Sequence, residues 1–193
     1  MAGTPHPSPG SACKELVQRL DRAVGSDGTE SVCRSIKKVL VDCLDRSDDL
    51  LARELLEPSS DGYARRLLHK DPGGRYSAVV MVWGPGQGTP LHDHAGRWCV
   101  EGVYKGRIRV TSYQVTSPPA GDLYRFSSQS REVAGRGEAG MLIPPHEFHT
   151  IDNPFEEPAA TLHIYSGELT SCHVFVPTTD GQYRRERREL SYS

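Results

Sequence analysis

The sequence predicts a mainly β domain: a barrel of antiparallel strands preceded by a few α-helices. Three observations predict it. From residue 62 onward, short runs rich in Val, Ile, Tyr and Thr alternate with Gly- and Pro-containing turns, with no helical stretch between them. Between residues 11 and 57, apolar positions recur with a helical period. The chain has 193 residues, 36% of them hydrophobic, enough for one well-buried core in one domain with a helical annex.

The elements follow in order. Residues 1–10, MAGTPHPSPG, hold three prolines and two glycines and read as a disordered tail. They show neither a basic leader nor an apolar segment, so no secretory signal is expected. Leu16, Leu20, Ala23 and Val24 share one helical face. Val32, Ile36, Val39, Leu40, Cys43 and Leu44 share a second. Leu50, Leu51, Leu55 and Leu56 suggest a third, capped by Ser47 and ended by Pro58. The expected division is a tail (1–10), a helical segment packed on the barrel (11–57) and the barrel with the site (58–193). Candidate strands cover 64–68, 77–83, 98–104, 107–114, 140–143, 161–165 and 172–176. Turn signals are DPGG at 71–74, GPGQG at 84–88, YKG at 104–106 and SPPAG at 117–121.

Charge and composition exclude several classes. There are 23 basic and 25 acidic residues, a net charge of −2, so the basic excess of a nucleic-acid binder is absent. The RRERRE run at 184–189 alternates sign and is expected to be a solvated strand or tail. No apolar run approaches the roughly 20 residues needed to cross a bilayer. The five cysteines are scattered, with no CxxC pair. Reduced thiols in a cytoplasmic protein are expected, with no membrane or nucleic-acid partner; the sequence leaves the oligomeric state open, a monomer being plausible.

The histidines carry the chemistry. His92 and His94 form an HxH pair, and on a strand both would point to one face, where two imidazoles can share one metal ion. The surrounding unit, GQGTPLHDHAGRWCVEGVYKG, is similar to the first motif of the cupin superfamily, with Cys99 where most cupins place a glutamate. Pro144, His149 and Asn153 match the second motif, although His146 stands where a glycine is usual. The resemblance implies a cupin jelly-roll β-barrel and a metal held by His92, His94 and His149. With no carboxylate at position 99, three neutral imidazoles are expected to leave the ion's +2 charge uncompensated and attractive to a thiolate. Three histidines and water would also make a zinc site, and a zinc or manganese isomerase stays open at this point.

The resemblance narrows further, to the cysteine dioxygenase family in its bacterial form, over residues 62–190. It is carried by GYARRLL at 62–68, WGPGQGTPLHDH with Cys99, HTIDNPFEEPAATLHIYSGEL at 149–169 and TSCHVF at 170–175. It implies a non-haem Fe(II) enzyme that adds both atoms of O2 to L-cysteine, giving cysteine sulfinic acid. Arg65, helped by Tyr63, would bind the substrate carboxylate, as a guanidinium fork suits it. Tyr165, His163 and Thr161 alternate along one strand and would form a relay in the order hydroxyl, imidazole, phenol. Cys99 would be able to join Tyr165 through a thioether. The alternatives are another small thiol, such as 3-mercaptopropionate or mercaptosuccinate, or a cupin that binds a metal or ligand without catalysis. His69, His173 and Cys172 receive no role.

Overall fold

The computed structural model describes residues 10–25, 27–46 and 48–193. The expected tail, apart from Gly10, and the expected cap Ser47 lie outside the described residues.

The first two apolar stripes become helices α1 (Ser11–Ala23) and α2 (Thr29–Leu44). Leu16, Leu20 and Ala23 of α1, and Val32, Ile36, Val39, Leu40 and Leu44 of α2, are buried in one shared core. The third stripe departs from expectation. Leu50 and Leu51 are buried but lie outside any helix, and only Arg53–Leu56 closes a 3-10 turn. Two side chains from elsewhere hold this stretch: the Tyr104 hydroxyl donates to the Asp48 carbonyl at 2.5 Å, and Arg136 pairs with the Asp48 carboxylate at 2.6 Å. Tertiary contacts override the local period here.

Eleven strands follow. The central sheet has the order β1-β2-β9-β3-β7: β1 (Ala64–Lys70), β2 (Ser77–Trp83), β9 (Ala159–Tyr165), β3 (Cys99–Lys105) and β7 (Ala139–Leu142). Opposite it lie two three-stranded sheets. One is β6 (Phe126–Gly135), β4 (Arg107–Val115) and β8 (His149–Asp152). The other is β10 (Ser171–Pro177), β11 (Tyr183–Glu189) and β5 (Leu123–Tyr124). Every pairing is antiparallel. This is the expected mainly β jelly roll, and the RRERRE run is indeed a strand.

Strand alternation divides the core in two. Ala78, Val80 and Val82 of β2 face the helices, with Val100 of β3 and Leu162 and Ile164 of β9. Val79, Met81 and Trp83 face the barrel interior, with Cys99, Val103 and Tyr165. Gly102 lets α2 sit close on β3: a Cβ there would meet the Leu44 side chain at 2.5 Å. Covered on both faces, β2, β3 and β9 bury even their polar residues, and this is what drives Glu101, Thr161 and His163 into the interior. No helix among the described residues is long and apolar enough to cross a membrane.

Candidate metal centre and substrate pocket

The structure brings His92, His94 and His149 together. One ring nitrogen from each lies within 4.8 Å of the others, and the ring centroids stand 4.4–5.4 Å apart. The two motifs meet because His92 bridges to His149 of β8 and to Val174 of β10. The HxH pair is not on a continuous strand, as the alternation argument assumed. After His94 the chain turns through Ala95 (φ 51°) and Gly96 (φ 77°), and the turn sets the His94 ring. Asp93 fastens this segment: its Oδ2 lies 2.9 Å from His173 Nδ1, and its Oδ1 accepts the His173 amide at 2.8 Å. His173 thereby acquires a structural role that the sequence had not suggested.

The donor set fits a metal ion. His92 Nδ1 lies 3.1 Å from the Pro90 carbonyl and His149 Nδ1 2.7 Å from the Glu147 carbonyl. A carbonyl only accepts, so the proton sits on Nδ1 and Nε2 presents a lone pair inward. His149 Nε2 is buried with no hydrogen-bond partner. Burial, then the neighbouring His149, pushes His92 down to about 3. Burial likewise lowers His94 and His149. All three are held as the neutral bases that a metal requires.

A buried carboxylate lies beside the three-histidine group, in a separate cluster with Cys99 and His163. Glu101, two residues beyond Cys99 on β3, is 6% exposed and shares its interior face. Its Oε2 lies 3.9 Å from His149 Nε2 and 3.3 Å from His163 Nδ1, in neither case completing a hydrogen bond. Burial works to raise the Glu101 carboxyl, but the His163, His149 and His92 imidazoles outweigh it and hold it below the usual range. A carboxylate is therefore present, displaced by one pleat from the position that Cys99 takes.

The expected relay is also re-routed. Trp83 Nε1 donates to Thr161 Oγ1 at 2.9 Å, and Thr161 Oγ1 lies 2.8 Å from His163 Nε2. His163 does not continue to the Tyr165 phenol; the two rings stack with centroids 6.0 Å apart. Its other nitrogen faces Glu101, with Cys99 Sγ at 3.9 Å. The reason is register: Glu101 is opposite His163 across β3 and β9, while Tyr165 is opposite Cys99. Tyr165 packs edge-on to His94 at 5.4 Å, and burial pushes its phenol well up. Burial does the same to the Cys99 thiol.

Over the imidazoles lies a narrow pocket of about 30 Å³, lined among others by Tyr63, Arg65, Tyr165, Leu169, Cys172 and Arg188. Arg65 is 4% exposed. Its guanidinium donates to the Leu169 carbonyl at 2.6 Å and lies 4.7 Å over the Tyr192 ring, while Nε has no partner. The adjacent Arg66 points the other way, to the Leu55 carbonyl at 3.1 Å. Tyr63 stacks on Trp83 at 4.8 Å. Arg188 was not singled out from sequence. Its cross-strand partner is the buried Cys172, which puts it over the same pocket.

Comparison with known proteins points to one family. The family described as Cysteine dioxygenase type I matches residues 50–177. Cysteine dioxygenase type 1 of Homo sapiens is 25% identical over 114 residues, and that of Rattus norvegicus 24%. Each match covers 58% of this chain and 55% of the relative, so the chain spans about half the length of the curated relatives it matches. Among solved structures, a Cupin 2 conserved barrel domain protein from Salinispora arenicola superimposes with a TM-score of 0.42 at 20% identity, covering 60% of this chain and 83% of that one.

Proposed function

The chain belongs to the cysteine dioxygenase type I family, and from that premise we propose that it is a non-haem Fe(II) thiol dioxygenase converting L-cysteine and O2 to cysteine sulfinic acid. The observation that carries this reading is the convergence of three neutral imidazole donors beneath a pocket that holds a buried arginine. Bound by His92, His94 and His149, iron would supply thiolate binding and O2 activation.

The chain's own residues do the rest. Arg65, braced by the Leu169 carbonyl and the Tyr192 ring, keeps its free Nε–H for the substrate carboxylate. Tyr63, which lines the same pocket, would add a second hydrogen bond. Tyr165 stays protonated beside His94 and can donate to an oxygen or sulfur atom in the pocket. Leu169, Ile151 and Val174 wall the pocket with apolar surface that limits water. All five cysteines are unpaired, which suits a reducing cytoplasm.

A second reading concerns the substrate alone. Arg188 brings a second guanidinium to a pocket whose lining contains no acidic residue, which favours a thiol with two carboxylates, such as mercaptosuccinate. Anaerobic iron loading followed by oxygen uptake with L-cysteine, 3-mercaptopropionate and mercaptosuccinate tests both. Stoichiometric sulfinate from one of them is expected; no uptake with any, at full iron occupancy, overturns the proposal.

A further inference from the structure

The Arg65 guanidinium is buried and positively charged, yet no acidic residue lines the pocket it faces. A buried charge is costly unless other groups compensate it. Much of what surrounds this one comes from residues 190–193. After β11, the Leu190 amide donates to the Thr170 carbonyl at 2.8 Å, and the chain then crosses from the sheet of β11 to the edge of β1. There the Ser193 amide donates to the Arg65 carbonyl at 2.8 Å, and the Arg65 amide donates to Ser193 Oγ at 3.2 Å. β1 is an outer strand of the central sheet, and this pairing occupies its open edge at Arg65.

The crossing brings three groups to Arg65 and its pocket. Leu190 joins the lining. The Ser191 carbonyl stands 3.5 Å from Arg65 Nη1, and the centre of the Tyr192 ring lies 4.7 Å from the guanidinium carbon. The ring is itself held: the Tyr192 hydroxyl donates to Glu168 Oε1 at 3.3 Å, and Glu168 pairs with Lys70. Leu169, next to Glu168, supplies the carbonyl that accepts from Arg65 Nη2 at 2.6 Å. An aromatic face and carbonyl oxygens attract a guanidinium without neutralising it. A carboxylate in their place would cancel the charge and compete with any anion in the pocket. The arrangement fixes the plane of the guanidinium, with Nε unpartnered, and leaves its charge available.

We infer that Tyr192 is a positioning residue for Arg65 and thereby sets the preference for thiols that carry a carboxylate. The inference rests on the dioxygenase reading above, in which Arg65 takes the substrate carboxylate. It assigns part of the choice of substrate to the segment 190–193, which holds none of the three metal-site histidines. The carboxylate stands apart from the reacting sulfur and is held alike before and during the reaction. Loss of such an interaction raises KM and leaves kcat nearly as it was.

The test compares wild type, Tyr192→Leu and Tyr192→Phe as full chains, on L-cysteine and on cysteamine, which lacks the carboxylate. Binding is read anaerobically from the visible absorption of the Co(II)-loaded protein, and turnover from oxygen uptake by the iron-loaded protein. Tyr192→Leu should weaken L-cysteine binding and raise its KM about 3- to 30-fold, the range of a partly buried cation–π contact. Its kcat should stay within about twofold, and cysteamine should bind as in wild type. Tyr192→Phe keeps the ring and should recover most of the loss. In an Arg65→Gln background Tyr192→Leu should add nothing, because the two residues act through one contact. Equal losses on both thiols, or a leucine variant that matches wild type on L-cysteine, overturn the inference and leave the dioxygenase reading standing. If wild type fully loaded with metal responds to neither thiol, the dioxygenase reading itself fails and takes the inference with it. Should Tyr192→Leu fail to fold, Tyr192→Met, which keeps the bulk without a π face, takes its place with the same outcomes.

Discussion

Glu101 and His163 are paired directly across β3 and β9, and their side chains meet inside the barrel at 3.3 Å. The carboxylate is buried with one oxygen unpartnered, so in the metal-free chain it is a cost. Replacing a buried, poorly compensated charge by an apolar side chain of similar size is often neutral or stabilising, by about 1–4 kcal/mol. Glu101→Leu should therefore leave the metal-free protein at least as stable in urea. His163→Leu should destabilise it, because the carboxylate then loses the N–H pole that faces it. If both variants lose stability equally, the carboxylate is not the burden argued here.

Arg65 offers one unpartnered Nε–H to the pocket while its other nitrogens are braced. A charged hydrogen bond to a carboxylate contributes about 1.5–3 kcal/mol, so Arg65→Gln should lower kcat/KM for L-cysteine about 10- to 150-fold. Turnover of cysteamine, a thiol without a carboxylate, should fall far less, and iron content should hold. Equal losses on the two thiols would place Arg65 in the packing rather than in substrate binding.

How much of this was legible in the sequence depends on which force placed each residue. His92, His94 and His149 were legible because their spacing survives any detail of the loop that carries them. Arg65 over Arg66 was a matter of alternation. Glu101 was missed although the signal was there: it stands two residues from Cys99 and so must share its face. A lone acid in a strand reads as solvent-facing until it is known that α2 covers the other side of β3. The relay failed for a different reason. Thr161, His163 and Tyr165 do share a face, but the partner of His163 is chosen by the register between β3 and β9, and pairing across strands is not written in either strand alone. The strand β6 was missed because its exposed, largely polar positions show no apolar alternation.

Burial and the neighbouring imidazoles hold His92 down to about 3, and burial lowers His94 and His149 too. Histidines in an unfolded chain take up protons below about pH 6.5. The unfolded state then binds more protons than the folded one, so stability falls as pH drops below that value, continuing toward about 3 for His92. The metal-free chain should show a lower urea midpoint at about pH 5.5 than at about 7.5. In His92→Gln the difference should shrink. Identical slopes in the two proteins would mean that His92 does not contribute.

Thr161 Oγ1 accepts from Trp83 and lies 2.8 Å from His163 Nε2, with all three residues buried. Thr161→Val keeps the shape but orphans an indole N–H and an imidazole nitrogen, each at about 1–3 kcal/mol. The thermal midpoint should drop clearly, and Thr161→Ser should restore most of it. A valine variant as stable as wild type would show that the hydroxyl bridges nothing of consequence.

Cys99 and Tyr165 stand directly opposite on β3 and β9, and residues so paired bring their Cβ atoms to about 4.5–5.5 Å. Both are buried and protonated by burial, so neither is reactive alone. A thioether between Cys99 Sγ and the Tyr165 ring removes one hydrogen from each; the two electrons and two protons would go to O2, and iron held by His92, His94 and His149 would supply the redox chemistry. Turnover of the iron-loaded protein with thiol in air should therefore yield a chain lighter by two hydrogens, and Cys99→Ala should not. The register permits the bond but does not enforce it, because Cys99 Sγ also lies 3.9 Å from His163 Nδ1. An intact mass that stays unmodified after extended turnover would mean that this second contact keeps the thiol turned from the ring.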